Sequence, residues 1–383
     1  MSKIKVFKSS PLYPELYKSI YTQATLNEWT YQQCYEAIVN KAFGWGDFWK
    51  KNMEALGNIE VQEVFHNGEH LQKLWATEHH VQYQPTNWVL DILLAQIKYF
   101  QPQVVFLHDY FFTPDFRQLV KQLVPSVKMI LAWDGILHHN AALFKGADLV
   151  LAHVEETVSY YKQHGFKTMT FSHGFEETLL QKIALNRNLI DVSFVGSIQL
   201  FNGGHYERLQ MLADLSRNIN IDMYLSGSVL EEYSLFSESQ IKRLSSRDWR
   251  NYLNIWQVGR KNKGSKFGLD MYQITADSKI SFNKHGEVAK NNAANMRLFE
   301  ATGVGSCLLT DWKDNLSQYF VPDEEVVTYK TVSEAVSKIK YLLSHEQERQ
   351  KIAKAGQLKT LKYYNFKNNF YGLINNIKAH LAL

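Results

Sequence analysis

The chain alternates short runs of apolar, β-branched or aromatic residues with longer stretches whose apolar positions recur at helical spacing. In the first half, Ile4–Phe7, Glu60–Phe65, Val104–His108, Val127–Trp133, Asp148–His153 and Thr168–Phe171 predict strands. Between them, Leu26–Leu56 reads as aromatic-rich helical material, and Trp88–Phe100 and Glu155–His164 as helices. Another helix is expected from Pro114, since proline suits a first helical turn. A second series starts near Asp191, where VSFVGS is a strand running into a glycine turn. Further strands are expected at Ile221–Leu225, Asn254–Val258, Lys279–Asn283, Cys307–Thr310 and Val326–Tyr329, with helices at Tyr206–Leu215, Ser333–Leu343 and Glu346–Leu361. Residues 231–250 read as polar helices or an insertion. Such alternation predicts an α/β protein with parallel sheets covered by helices.

Length turns this pattern into two domains. A chain of 383 residues is long for one core, and a linker is expected between Gly174 and Asn188. The division predicted is 1–180 and 181–383, with the last helix free to pack back on the first domain. Two Rossmann-like domains facing each other across an interdomain cleft is the natural architecture, because such sheets bind ligands at the carboxyl ends of their strands.

Charge and cysteine content narrow the partners. The 42 basic and 38 acidic residues give a net charge of +4. That near-balance permits small anionic ligands, or loose peripheral contact with an anionic membrane. No dense Lys/Arg block appears, which argues against a nucleic-acid partner. Cys34 and Cys307 lie far apart, as expected in a reducing compartment. MSKIKVFKSS lacks a signal-peptide core, and no run reaches the ~18 apolar residues of a membrane span. The expectation is a soluble cytoplasmic protein.

The most informative stretch is residues 266–311, an apolar strand, a polar loop, a helix from about Asn292 to Gly303, and another strand. Asn291 or Asn292 can cap that helix, whose free N–H groups would favour phosphate. Arg297 and Glu300 share a face at i,i+3: a guanidinium suits a diphosphate, a carboxylate the two hydroxyls of a ribose. The competing reading is a surface ion pair. Gly303 would permit a left-handed helix end. Lys284, in the loop Asn283-Lys284-His285-Gly286, could neutralise phosphate, and His285 could touch the sugar or acceptor. Gly196 and Ser197 would present backbone N–H groups to an oxyanion. In the first half, His108, Asp109, Asp134 and His173 end strands and are candidates for proton transfer or for sugar and acceptor contact. Capping and turn formation compete for each of them.

Several chemistries are excluded. The GxGxxG fingerprint, a P-loop and the G-x-S-x-G elbow are absent. His66-Asn67-Gly68-Glu69-His70 matches an inverted zinc-protease pattern, but His66 ends a strand and Gly68 weakens the helix the motif needs. No metal and no cofactor are expected.

The motifs GLDMYQITADSKISFN at 268–283, NMRLFEATGVGSCLLTD at 295–311 and ERQKIAKAG at 348–356 resemble the bacterial group-1 glycosyltransferases of the CgeB-like, spore-maturation type, which have the GT-B fold. NGEHLQKLWATEH at 67–79 and VVFLHDY at 104–110 resemble the first domain of the same group. The resemblance implies a metal-independent transferase moving a sugar from a nucleotide donor to a hydroxyl of a glycan, lipid-linked or protein-linked acceptor. It implies Glu300 on the ribose, Asn283 and Lys284 beside the diphosphate, and Val258-Gly259 at a strand end bordering the base. It also implies domain closure over the reactants. Asn292 stands where retaining enzymes often carry a second glutamate in an E-x7-E pattern, with seven residues between it and Glu300, which leaves the stereochemical outcome open. Alternatives are a GT-B-fold sugar-nucleotide epimerase and a degenerate sugar-nucleotide-binding protein.

Overall fold

The computed structural model describes residues 3–21, 28–108, 111–135, 137–200, 204–227, 246–293 and 295–383. The chain divides into two compact units, Met1–His173 with Phe366–Leu383, and Gly174–Asn365.

Among the described residues, the first unit is built on six parallel strands: β1 (Ile4–Ser10), β2 (Ile59–Phe65), β3 (Val104–Leu107), β4 (Met129–Asp134), β5 (Leu149–Ala152) and β6 (Thr168–Thr170). Their order is β2-β1-β3-β4-β5-β6. Side chains alternate between sheet faces, and β3 shows what covers each. Val105 and Leu107 pack with Leu93, Ile97, Phe116 and Val120, from helices Trp88–Phe100 and Pro114–Leu123. Phe106 lies 4.4 Å, between ring centroids, from Trp49 of helix Phe48–Leu56. Trp49 in turn meets Phe370 at 5.2 Å. Phe370 belongs to the last helix, Phe366–His380, whose Asn369 also donates to the Ser172 carbonyl at 2.7 Å. Both faces are therefore dry, which explains strands that read as continuous apolar runs.

The second unit carries β7 (Ile190–Ser197), β8 (Asp222–Ser226), β9 (Ser278–Asn283), β10 (Cys307–Asp311) and β11 (Val327–Tyr329), in the order β11-β10-β9-β7-β8. All described strand pairs in this sheet are parallel. One core packs Val192, Phe194, Ile280 and Leu309 against Leu209, Leu212, Val258 and Ile339 of flanking helices.

Four sequence expectations need correction. Residues Asn254–Val258 are no strand; they lie in helix Ser246–Gly259. Five apolar-rich residues cannot separate the two periods, and the longer window shows a helix that is apolar on two faces. Val258 is accordingly buried in the core and Gly259 is exposed, at a helix end and not a strand end. The helix expected from Asn292 begins at Arg297 and ends at Gly303, with Met296 before it making no side-chain cap. Asn292 instead follows a short 3-10 turn, its N–H donating to the Ala289 carbonyl, so it shares no helix face with Glu300. The left-handed residue after that helix is Gly305, at φ +85°, not Gly303. Gly303 serves close approach: a Cβ there would sit 2.3 Å from Cγ of the buried Phe175 ring. Finally, β7 continues through Gly196 and Ser197, which are in register with Leu225 and Ser226 of β8, so the turn comes later. Helices Pro14–Tyr21, Glu69–Glu78, Gly268–Asp277 and Phe366–His380 carried no assignment from the sequence.

Candidate functional site

The carboxyl ends of β7, β9 and β10 converge on one loop, Asn283–Gly286, and every residue of its first half is pinned. Asn283 donates through Nδ2 to Thr310 Oγ1 at 2.9 Å and accepts from Asn295 Nδ2 at 2.9 Å. Its carbonyl accepts from the Tyr329 hydroxyl at 2.7 Å. Asn283 is thus a strut of the loop. The Lys284 carbonyl accepts from Arg208 Nε at 3.1 Å. His285 donates its backbone N–H to Asp311 Oδ1 at 2.9 Å, and its Nδ1 meets the same oxygen at 2.7 Å. A loop fixed this way can present groups to a ligand at little ordering cost.

Asp311, the last residue of β10, gathers the cations. Lys284 Nζ lies 3.2 Å and Lys313 Nζ 3.5 Å from its Oδ2. Burial works to raise the Asp311 carboxyl, but the His285 hydrogen bond and the Lys284 charge together outweigh it and hold the group well below the usual carboxylate range. His285 is 1 % exposed, and burial lowers it against the pull of Asp311. A neutral imidazole donating Nδ1–H to Asp311 leaves Nε2 as an acceptor, and that atom is buried without a hydrogen-bond partner. Such an atom is costly unless a ligand donor reaches it.

Arg208 is the residue that sequence reasoning missed. It stands in the first turn of helix Tyr206–Asn218 and is 9 % exposed. Its Nη1 donates to the Ser197 carbonyl at 2.9 Å and contacts His205 Nδ1 at 3.2 Å, while Nε holds Lys284. One guanidinium therefore ties the end of β7 to the loop after β9. Burial brings its pKa down to about 10, against the nearby charges of Glu287 and Asp311. Among the described residues no carboxylate forms an ion pair with it. A buried guanidinium bonded to carbonyls, with no paired acid, has charge to offer an anion. The signal available in the sequence was positional: a basic residue one turn into the helix that follows the first strand of the second unit.

Arg297 and Glu300 do meet, as the spacing predicted, but not on the surface. Arg297 Nη1 is 3.1 Å from Glu300 Oε2, and the side chains are only 14% and 8% exposed. The contact is an ion pair too poorly aligned for a hydrogen bond, so Nη1 keeps its donor capacity unfilled. The Tyr272 hydroxyl donates to Glu300 Oε1 at 3.3 Å. Tyr272 is pushed well above its ordinary range by burial and then by Glu300, so it stays a donor.

In the first unit, the strand-end candidates separate. His108 follows β3 and stacks on Trp45 at 4.5 Å between centroids; burial, then the Lys8 charge, push it down to about 3. It is a neutral imidazole at neutral pH, with Nδ1 buried and unpartnered. His173 packs on His153 at 4.6 Å and on Trp133 at 5.6 Å, and is lowered strongly by burial. The Asp134 carboxylate goes elsewhere. It accepts from Tyr161 at 2.7 Å and contacts His138 Nδ1 at 2.8 Å, so no pairing with His108 forms. Asp109 lies outside the described residues. His66 contacts Ser9 Oγ at 2.9 Å, while His70 sits in helix Glu69–Glu78. Among the described residues no group of three or more His, Cys, Asp or Glu could hold a metal ion, and no helix is long and apolar enough to cross a membrane.

Comparison with known proteins agrees on the architecture. The solved HepE protein of Anabaena, in complex with UDP-glucose, superposes with a TM-score of 0.61 at 11% identity, covering 98% of this chain and 100% of that one. A glycosyltransferase from Rickettsia africae gives 0.60 at 11% identity over 100% and 99% of the two chains. Sucrose-phosphate synthase from Thermosynechococcus elongatus gives 0.58 at 11% over 99% and 100%. Likeness at that identity concerns the fold, two parallel-stranded α/β sheets of the GT-B class. No curated protein matches the chain by sequence. Residues 208–374 do match the family model described as glycosyl transferase-like. That segment opens at Arg208 and contains Lys284, His285, Arg297, Glu300 and Asp311.

Proposed function

We propose that this chain is a metal-independent glycosyltransferase that binds a nucleoside diphosphate–sugar at the carboxyl edge of its second sheet. It passes the sugar to a hydroxyl of a glycan, lipid-linked or protein-linked acceptor. The observation that carries the reading is Arg208, a withdrawn guanidinium without a described acid partner, beside Lys284 and the Asn283–Gly286 loop. In this reading Arg208 and Lys284 take the diphosphate, and Nη1 of Arg297, ion-paired to Glu300 but without a hydrogen bond, adds a third donor. Glu300 receives the ribose hydroxyls while Tyr272 holds its other oxygen. His285 accepts a sugar hydroxyl on Nε2. The departing diphosphate gains negative charge as the glycosidic bond breaks, and fixed cations in a dry setting stabilise it without reorganising. Uridine is the first base to test, because HepE was solved with UDP-glucose. The motifs at 268–283, 295–311 and 348–356 support placing the chain in the spore-maturation-type subgroup.

Glu300→Gln tests the ribose assignment. The substitution keeps volume but removes the charge facing Arg297, so some stability falls with it. The expected result is about tenfold to hundredfold weaker binding of the nucleoside diphosphate–sugar, measured at a temperature where thermal unfolding shows the variant folded. Unchanged affinity would remove Glu300 from the site. Product analysis without acceptor separates the epimerase alternative, since only an epimerase converts the sugar nucleotide into its isomer.

A further inference from the structure

Helix Ser246–Gly259 is apolar on two opposite faces. One face carries Ile255 and Val258, 4% and 0% exposed, into the core of the second unit. At 100° per residue, Trp249, Leu253 and Trp256 lie on the other side of the same helix. They are 45%, 46% and 52% exposed. The core does not use them. An exposed row of two tryptophans and a leucine is an uncommon surface, and it calls for an occupant.

Charge says which. Residues 246–266 contain six basic residues and one acidic residue, a net of +5, whereas the whole chain carries +4. The rest of the protein is therefore slightly negative; within the stretch Lys263 is paired with Asp222, which leaves Arg250 and Arg260 as the cations on or at the end of this helix that face no described acid. Arg260 extends the row by one turn, with its guanidinium 4.8 Å above the Trp256 ring. Arg250, which follows Trp249 in the helix, is exposed. Tyr252 stacks on Trp249 at 5.5 Å. Indole and phenol rings with guanidinium groups are the side chains that settle at the headgroup level of a bilayer, the rings in the acyl boundary and the cations among anionic headgroups.

We propose that this helix docks the protein on an anionic lipid surface, with Trp249, Leu253 and Trp256 inserted and Arg250 and Arg260 on the headgroups. The inference does not depend on the transferase reading, and its test needs no sugar donor. The full chain would be sedimented with vesicles of phosphatidylcholine and with vesicles containing about one third phosphatidylglycerol. Binding is expected to the anionic vesicles, to weaken with salt, and to drop by about tenfold or more in a Trp249→Ala/Trp256→Ala variant. Arg250→Gln/Arg260→Gln should weaken binding and flatten the salt dependence. Both variants change exposed side chains, and an unaltered melting temperature checks that they fold. Equal binding of the tryptophan variant and the unmodified chain would overturn the proposal, as would equal binding to neutral and anionic vesicles. A dimer that the tryptophan variant dissociates would also overturn it, by assigning the row to a second copy.

Discussion

Arg208→Met is expected to abolish measurable affinity for the nucleoside diphosphate while leaving most of the protein folded. The side chain does two things. It donates to the Ser197 and Lys284 carbonyls, at 2.9 and 3.1 Å, and it brings a positive charge to the ends of β7 and β9. Methionine keeps the apolar stem and loses both. The two carbonyls left unpaired should cost about 1–3 kcal/mol of stability. A hydrogen bond to a doubly charged phosphate is worth more than one between neutral groups, so the binding loss should exceed about a hundredfold. Arg208→Lys separates the roles: it restores charge, cannot span both carbonyls, and should recover part of the affinity. Calorimetric titration of each variant provides the measurement. If the methionine variant binds as the parent does, Arg208 is only a strut.

The second large effect is acid lability. Burial pushes His66 down to about 4, while His205 falls to about 4 through burial and then the Arg208 charge. His108 falls to about 3. Each folded value lies below the unfolded one, so protonation favours the unfolded chain. Their stability is fully present above about pH 6.5 and is lost as the pH falls from there towards 4, where the folded groups begin to titrate. At pH 5 the buried His66 and His108 should each have withdrawn about 2 kcal/mol, with less from the partly exposed His205 and an opposing gain from Glu63, which burial raises to about 7 and which is protonated in the folded chain at that pH. A urea midpoint at pH 5 well below that at pH 7.5 is the expected outcome, and His108→Phe should reduce the difference. Equal midpoints would mean that these imidazoles are not buried neutral.

Particular elements show how far the sequence reaches. Helix Trp88–Phe100 appears with the boundaries predicted, since an apolar-rich run of thirteen residues is too long for a typical strand and leaves little ambiguity. The central strands β3, β4 and β5 were legible because both sheet faces are covered there and each is apolar over nearly all its length. Part of helix Ser246–Gly259 was misread because its second apolar face makes residues Asn254–Val258 imitate a strand. Arg297 and Glu300 were found as a pair, but i,i+3 spacing is the same on a surface and in a pocket. Only the fold shows them withdrawn. Arg208 was invisible for a related reason: its partners are carbonyls eleven and seventy-six residues away, and carbonyls carry no sequence signal.

The central claim is that a nucleotide diphosphate settles among Arg208, Lys284 and Glu300. It is tested most directly by titrating the full chain calorimetrically with UDP, GDP and dTDP, and with inorganic pyrophosphate for comparison. The account predicts that one nucleoside diphosphate binds with an affinity on the order of the micromolar range usual for enzyme substrates, well above pyrophosphate, and that its sugar nucleotide competes. Nucleoside diphosphates that bind no better than pyrophosphate would contradict it.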